Sequence, residues 1–140
     1  MSTLVCDTSI VVKLLIWEND SELAEAVAEN HQLTAPDLVL AEAGNVIWSK
    51  IASSVITRRD AGELIDRLLT IPIDLRPVRP LLTRALTIAT EMNHPIYDCI
   101  YLALAEHLDI PFLTADNRFL NAARRIGFRS VKIITLAEAV

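Results

Sequence analysis

Four acidic side chains in this 140-residue chain stand in places where an acid needs a reason to be. Asp7 directly follows the apolar run TLVC at 3–6, and Asp116 comes two residues after PFLT at 111–114. Glu42 lies inside LVLAEAGNVIW, among Leu38, Val39, Val46 and Ile47. Asp98 lies inside PIYDCIYLALAE, the most apolar helical pattern of the chain. Neither Glu42 nor Asp98 has a Lys or Arg within four residues, and charged side chains are almost never buried without a partner or a metal. Drawn together with the amide of Asn45, one turn beyond Glu42, and the hydroxyls of Thr8, Ser9 and Thr114, these carboxylates make an all-oxygen donor set. Such sets select Mg2+ or Mn2+ and usually serve phosphoryl transfer, where the metal polarises a phosphate oxygen and activates water without a histidine base. The same residues also have ordinary uses. Asp7 and Asp116 can cap helices and turns, Asp98 can start a helix at the positive end of its dipole, and Glu42 can pair with a distant Arg.

Other chemistries are excluded more firmly. The three glycines, Gly44, Gly62 and Gly127, are too widely spaced for a dinucleotide GxGxxG or a P-loop. HExxH is absent, and His31, His94 and His107 are too scattered for a zinc site. His94, just before Pro95, reads as a turn residue; its other use would be a proton relay to Asp98, four residues on. Cys6 and Cys99 form no CxxC pair and sit in apolar segments, which implies reduced, buried thiols and a cytoplasmic location. No stretch longer than seven residues lacks a charge, so no transmembrane helix is expected, and the start MSTLVCDTS does not read as a signal peptide. Trp17 and Trp48 lie in apolar helical patterns and are expected in the core or a dimer interface rather than stacked on RNA bases. Tyr97 and Tyr101, one turn apart, are expected in the core.

The net charge is −5, which by itself argues against a nucleic-acid partner, but its distribution is uneven. Residues 1–70 carry five basic and eleven acidic side chains, whereas 71–140 carry eight and seven. From Asn117 to Lys132 the chain holds Arg118, Arg124, Arg125, Arg129 and Lys132 and no acid, a local positive surface in an acidic protein or simply a solvated helix face.

These residues need a scaffold, and the hydrophobic pattern supplies one. Strands are expected at 3–6, 32–35, 71–75, 111–114 and 131–135. The strongest helical patterns run over 21–29, 37–52, 57–69, 79–92, 97–108 and 117–126; the last is bounded by Asp116 at its N-cap and Gly127 past its end. With 52% hydrophobic residues, one domain over 1–140 can bury a real core, and strand–helix alternation implies a parallel sheet with helices on both faces. Ligands in such sheets bind at the carboxyl ends of strands where strand order reverses, which directs attention to Asp7, Asp74 and Asp116.

The blocks D-T-S at 7–9, E-x-x-N at 42–45, Y-D-x-x-Y-L-A-L-A-E at 97–106 and T-A-D-x-R-F at 114–119 together resemble the PIN-domain ribonucleases, specifically the VapC-type toxins of toxin–antitoxin pairs. The resemblance covers the whole chain in order. It implies a five-stranded sheet of order 3-2-1-4-5, with Asp7, Glu42, Asp98 and Asp116 as the metal-binding acids and Thr8, Asn45 and Thr114 as supporting polar groups. It also implies an endoribonuclease that leaves a 5′-phosphate and a 3′-hydroxyl, with Arg118, Arg124, Arg125 and Arg129 holding the RNA backbone. A small cognate antitoxin would block it. The apolar run Leu14, Leu15, Ile16, Trp17 is more than one helix stripe can bury, so part of it is expected to face such a partner, and a homodimer is expected as well, since a bivalent antitoxin complex gains avidity from it. Cys99 stands where the family often has a small residue, and suggests sensitivity to thiol reagents. Two rivals remain at this point. A receiver-type phosphoacceptor domain would use Asp74 and Lys132, but leaves Glu42 and Asp98 unexplained. A haloacid-dehalogenase-type phosphatase lacks its second Asp, because Ser9 occupies that position.

Overall fold

A computed structural model describes all residues from Met1 to Val140. Strands β1 (Thr3–Cys6), β2 (Gln32–Pro36), β3 (Ile73–Arg76), β4 (Phe112–Leu113) and β5 (Ile133–Ile134) form one all-parallel sheet in the order β3-β2-β1-β4-β5. Helices α1 (Thr8–Leu15) and α2 (Ser21–Asn30) connect β1 to β2; α3 (Leu38–Ala52) and α4 (Arg58–Thr70) connect β2 to β3. A 3-10 turn at Arg79–Leu81, α5 (Leu82–Met92) and α6 (Ile96–Leu108) lead back to β4, α7 (Asn117–Arg125) leads to β5, and α8 (Leu136–Ala139) follows. Parallel crossovers are right-handed, so α1–α4, which carry the chain outward from β1 to β3, cover one face, and α5–α7, which carry it back through β4 to β5, cover the other. The expected α/β architecture and strand order are both present. No helix is long and apolar enough to cross a membrane.

Two helices were not among the expected ones. The segment TSIVVKLL is rich in β-branched residues, which favour strands, yet it forms α1. Two things decide it. Asp7 caps the first turn, accepting from the backbone N–H of Ser9 at 3.0 Å, and Ile10, Val11, Val12 and Leu15 bury one side of the helix in the core. The short α8 is capped by Thr135, whose hydroxyl accepts from the Glu138 N–H. The expected helix at 79–92 begins instead as a 3-10 turn containing Pro80.

The centre of the core is α6, where every residue from Cys99 to Ala105 is buried. It packs against β1, β2 and β4 and along α5, and the pair is clamped by a bidentate ion pair from Arg84 to Glu106 at 2.6 and 2.9 Å. That guanidinium holds the Glu106 carboxyl below the ordinary range. Tyr101 of α6, Phe112 of β4 and Phe119 of α7 form an aromatic chain with ring centroids 6.1 and 5.9 Å apart, the second pair nearly perpendicular. Tyr97, expected in the core, is 58% exposed; Trp17 and Trp48 are 66% and 62% exposed, which removes the core from the two places expected for them and leaves an interface. Each occurs in an apolar pattern that turns its companions, not itself, inward.

Because Leu102 is fully buried in the middle of α6, Leu102→Ala should lower unfolding stability by roughly 2–5 kcal/mol. Urea denaturation followed by circular dichroism checks this; a loss below about 1 kcal/mol would mean that α6 is not the packed centre described.

Candidate active site

The strand order reverses between β1 and β4, where Val5 pairs with Phe112 and Cys6 with Leu113. The next residues on these strands, Asp7 and Thr114, therefore emerge side by side at the carboxyl edge. Asp7 is only 5% exposed, and its two oxygens are held by two hydroxyls. Oδ1 accepts from the Ser9 N–H and from Ser9 Oγ; Oδ2 accepts from Thr114 Oγ1 at 2.5 Å. Each hydroxyl is itself fixed by a backbone N–H of the loop after β4: Ala115 donates to Ser9 Oγ at 2.9 Å and Asp116 donates to Thr114 Oγ1 at 3.0 Å. The β4–α7 loop is thus stitched onto the first turn of α1 through the carboxylate of Asp7.

Asp116 caps α7, with Oδ1 accepting from the N–H groups of Arg118 and Phe119 at 3.0 and 3.3 Å. Asp98 sits in the first turn of α6, and its Oδ2 meets His94 Nε2 at 2.7 Å. Glu42, from α3, is held by its Oε1, which accepts from Tyr101 Oη at 2.5 Å and Thr8 Oγ1 at 2.9 Å. Burial first, and then the hydrogen bond to Glu42, push the Tyr101 phenol above its ordinary range, so it stays protonated and keeps donating.

Asp7 has no cation in an ion pair, and neither has Glu42 or Asp116. Burial pushes the Asp7 carboxyl up to about 6, against the opposing hydrogen bonds from Ser9 and Thr114; the charges of Asp98 and Asp116 push the same way as burial. Asp7, Asp98 and Asp116 therefore share one electrostatic site. Glu42 adjoins it through Thr8, the neighbour of Asp7, and through Tyr101. Glu42, Asp98 and Asp116 each keep one carboxylate oxygen without a hydrogen-bond partner. That donor set, hard oxygens with surplus negative charge, fits a Mg2+- or Mn2+-class ion. It is not a ready-made cage, because no three acidic, His or Cys side chains come close enough together to hold one ion.

The sequence brought the right segments forward but missed one partner and gave another second place. Tyr101 is core, as expected, yet its hydroxyl is also the main donor to Glu42; the Y-D-x-x-Y spacing places it three residues from Asp98, on the same side of α6. His94 lies in the turn expected of it, and its ring also bonds Asp98. Asn45 is exposed and makes no side-chain hydrogen bond, although it lines a shallow cleft of about 430 Å3 with Thr8, Glu42 and Tyr97. Arg118, Arg124, Arg125 and Arg129 are all exposed and take part in no salt bridge. Glu42 has no Arg partner, but the expected caps at Asp7 and Asp116 are both present, so capping and site formation coincide.

The PIN-domain family profile matches residues 4–125. The chain belongs to the PIN-domain family. It is 28% identical over 118 residues to ribonuclease VapC3 of Pyrobaculum aerophilum, covering 82% of this chain and 90% of that one. Its fold superposes on the crystal structure of PAE2754 from Pyrobaculum aerophilum with a TM-score of 0.73 at 20% identity, covering 98% of this chain and 92% of the other. It also superposes on a toxin–antitoxin complex from Klebsiella pneumoniae, with a TM-score of 0.66 at 15% identity over 95% of this chain and 97% of that one.

The architecture of this PIN domain disfavours the receiver reading. Asp74 lies on the edge strand β3, two strands from Asp7, exposed and paired with Arg76 at 2.9 Å. The thiol-sensitivity expectation for Cys99 also fails. Its side chain is fully buried and burial pushes the thiol up to about 11, so little of the reactive thiolate forms at neutral pH.

Asp7 makes stability depend on pH. An unperturbed carboxyl ionises near 3.8 and the folded one near 6, so between these values the folded state holds more protons than the unfolded state. Stability from this group is full below about pH 4, falls as pH rises, and above 6 has dropped by on the order of 3 kcal/mol. In EDTA, Asp7→Asn should melt several degrees above wild type at pH 7.5, with the gap closing at pH 4. Differential scanning calorimetry at the two pH values checks it, and a gap independent of pH would contradict the assigned burial effect.

Proposed function

We propose that this PIN domain is a Mg2+- or Mn2+-dependent endoribonuclease toxin, held inactive by a small cognate antitoxin. One observation carries the reading. A buried, cation-free Asp7 sits at the strand-order reversal with Asp98 and Asp116 adding to its negative charge, an arrangement that weakens the fold unless a metal uses it. The names borne by its relative, a ribonuclease, and by its structural neighbour, a toxin–antitoxin complex, support the substrate and partner classes.

In this reading Asp7, Glu42, Asp98 and Asp116 hold the ion, which when bound would polarise a phosphate oxygen and make water a better nucleophile. The chain's own contributions are positional. Ser9 and Thr114 aim both oxygens of Asp7; Thr8 and Tyr101 fix one oxygen of Glu42 and leave the other to work. Asn45, Thr8 and Tyr97 border the cleft beside Glu42, where a ribose or base edge fits. Arg118, Arg124, Arg125 and Arg129 grip backbone phosphates beyond Asp116, delivering a phosphodiester to the carboxylates, and cleavage leaves a 5′-phosphate and a 3′-hydroxyl. The antitoxin would cover apolar surface such as Trp17, the exposed end of the run from Leu14, and present an Arg to the carboxylates. The remaining exposed apolar residues, among them Trp48, Leu86 and Tyr97, provide surface for a homodimer.

Asp98→Asn should reduce cleavage of a fluorescent RNA in 5 mM Mn2+ (roughly 1 mM or more is a saturating choice for such sites) by at least about 100-fold, with no further loss in an Asp98→Asn, Asp116→Asn double variant. Near-normal cleavage by Asp98→Asn would overturn the proposal. For the cationic segment, an Arg118→Ala, Arg125→Ala double variant should bind RNA more weakly and flatten the dependence of log affinity on log salt by about 0.7 per lost contact. Filter binding from 50 to 300 mM salt (roughly the range over which phosphate contacts are titrated) measures it, and an unchanged slope would return these arginines to a merely solvated helix face.

A further inference from the structure

We propose that His94 is a positioning residue that sets the orientation of the Asp98 carboxylate for metal binding, backed by Phe119. The inference rests on the metal reading of the four acids, and deepens it by assigning a residue outside that set.

The backbone of His94 is fixed before its ring does anything. Helix α5 ends with Asn93 in the left-handed region, at φ 49°, and the His94 N–H then bonds back to Ala89 O at 3.1 Å, a C-terminal cap that locks the reversal of the chain. Pro95 follows and restricts the backbone of His94 to extended conformations while leading directly into α6. The ring therefore leaves a rigid corner, and it lands against Phe119, centroid to centroid 5.0 Å, in an edge contact at 61°. Phe119 is itself completely buried and packed on Phe112.

Held this way, Nε2 reaches Asp98 Oδ2 at 2.7 Å. An ionised carboxylate can only accept, so Nε2 is the nitrogen that carries the proton toward it. The bond occupies one oxygen of Asp98 and leaves Oδ1 without a partner, in the cluster whose charge acts on Asp7. His94 is the only side chain that bonds the Asp98 carboxylate: Asp98 lies in the first turn of α6, where the helix dipole favours its charge but does not fix its rotamer, and no Lys or Arg pairs with it. Phe119 ties the arrangement to a second acid, because its own N–H donates to Asp116 Oδ1. One aromatic residue thus supports Asp98 through the His94 ring and Asp116 through its backbone. Groups that orient a metal-binding side chain through its second atom contribute roughly 10- to 100-fold in metal affinity.

The test is Mn2+ affinity, read by the loss of the free-ion EPR signal on titrating protein, for wild type, His94→Phe, His94→Gln and Asp98→Asn. His94→Phe keeps a ring against Phe119 but has no donor, and should bind Mn2+ roughly 10- to 100-fold more weakly. His94→Gln places an amide N–H near the position of Nε2 and should recover to within about 3-fold of wild type. If His94→Phe does not fold, His94→Leu, smaller and equally without a donor, carries the same comparison. Wild-type affinity in the donor-free variant, with affinity lost in Asp98→Asn, would overturn the positioning role and leave the metal reading intact. A directly bonded imidazole nitrogen in the electron spin echo spectrum of wild type would overturn it too, by making His94 a ligand. Wild type and Asp98→Asn binding Mn2+ equally poorly would bring down both.

Discussion

The structure turns on a carboxylate that has been taken out of water and given no countercharge. An acid at the end of a central parallel strand is enclosed by neighbouring strands and by the helices that follow them, so desolvation is unavoidable there, and the usual remedy is an Arg or Lys partner. Asp7 instead receives two hydroxyls and a backbone N–H. These donors compensate part of the lost hydration without neutralising the charge, which is the condition an ion-binding acid requires. Much of the local architecture serves this arrangement. Strand β4 is only two residues long, and the loop after it turns back at once so that Ala115 and Asp116 can fix the hydroxyls that hold Asp7.

The second acid, Glu42, is treated in the same way, by hydroxyls rather than a cation. Its partners are a phenol that burial keeps protonated and a threonine hydroxyl from the residue next to Asp7. Tyr101 can do this because the aromatic chain through Phe112 and Phe119 gives its ring no freedom to swing. Packing and polarity are therefore not separate layers here. The same α6 residues that fill the core between sheet and α5 fix the position of the site's donors, and loss of core packing would be felt as misplacement of Glu42 and Asp98 before it was felt as unfolding.

What could be read in advance followed from periodicity and from local context. The alternation of short apolar runs with helical patterns sufficed for the sheet, and acids in apolar surroundings marked Glu42 and Asp98 because such placement is costly unless used. The helix α1 was hidden because its Ile10, Val11 and Val12 run imitates a strand, and only the tertiary burial of that run decides otherwise. Trp17 and Trp48 stay out of the core for a related reason: hydrophobicity says that a side chain prefers the interior, but α3 turns Trp48 outward and Trp17 lies past the end of α1. The donor role of Tyr101 was invisible since it depends on a pair 59 residues apart in sequence, Tyr101 and Glu42, whereas the His94–Asp98 pairing was open as the alternative to a turn role and only the ring direction set by the helix cap decides it. The donor list named the four acids but not their present engagements: Asp116 caps α7, Asp98 bonds His94 and Glu42 bonds Tyr101, and no three of them come together around one point.

Helix α6 carries Asp98 near its solvent end and Tyr101 three residues deeper, with buried residues continuing from Cys99 to Ala105 on every side of the cylinder. Such a helix behaves as a ruler with no slack. One residue inserted between the two would rotate everything beyond it by about 100° and advance it by about 1.5 Å, so that the phenol and the carboxylate could no longer serve their partners together. Length variation is thereby penalised inside α6, and is cheaper at places such as the exposed turn at Ser53 and Ser54 after α3, ahead of Ile56, which packs on the core, and Thr57, which caps α4.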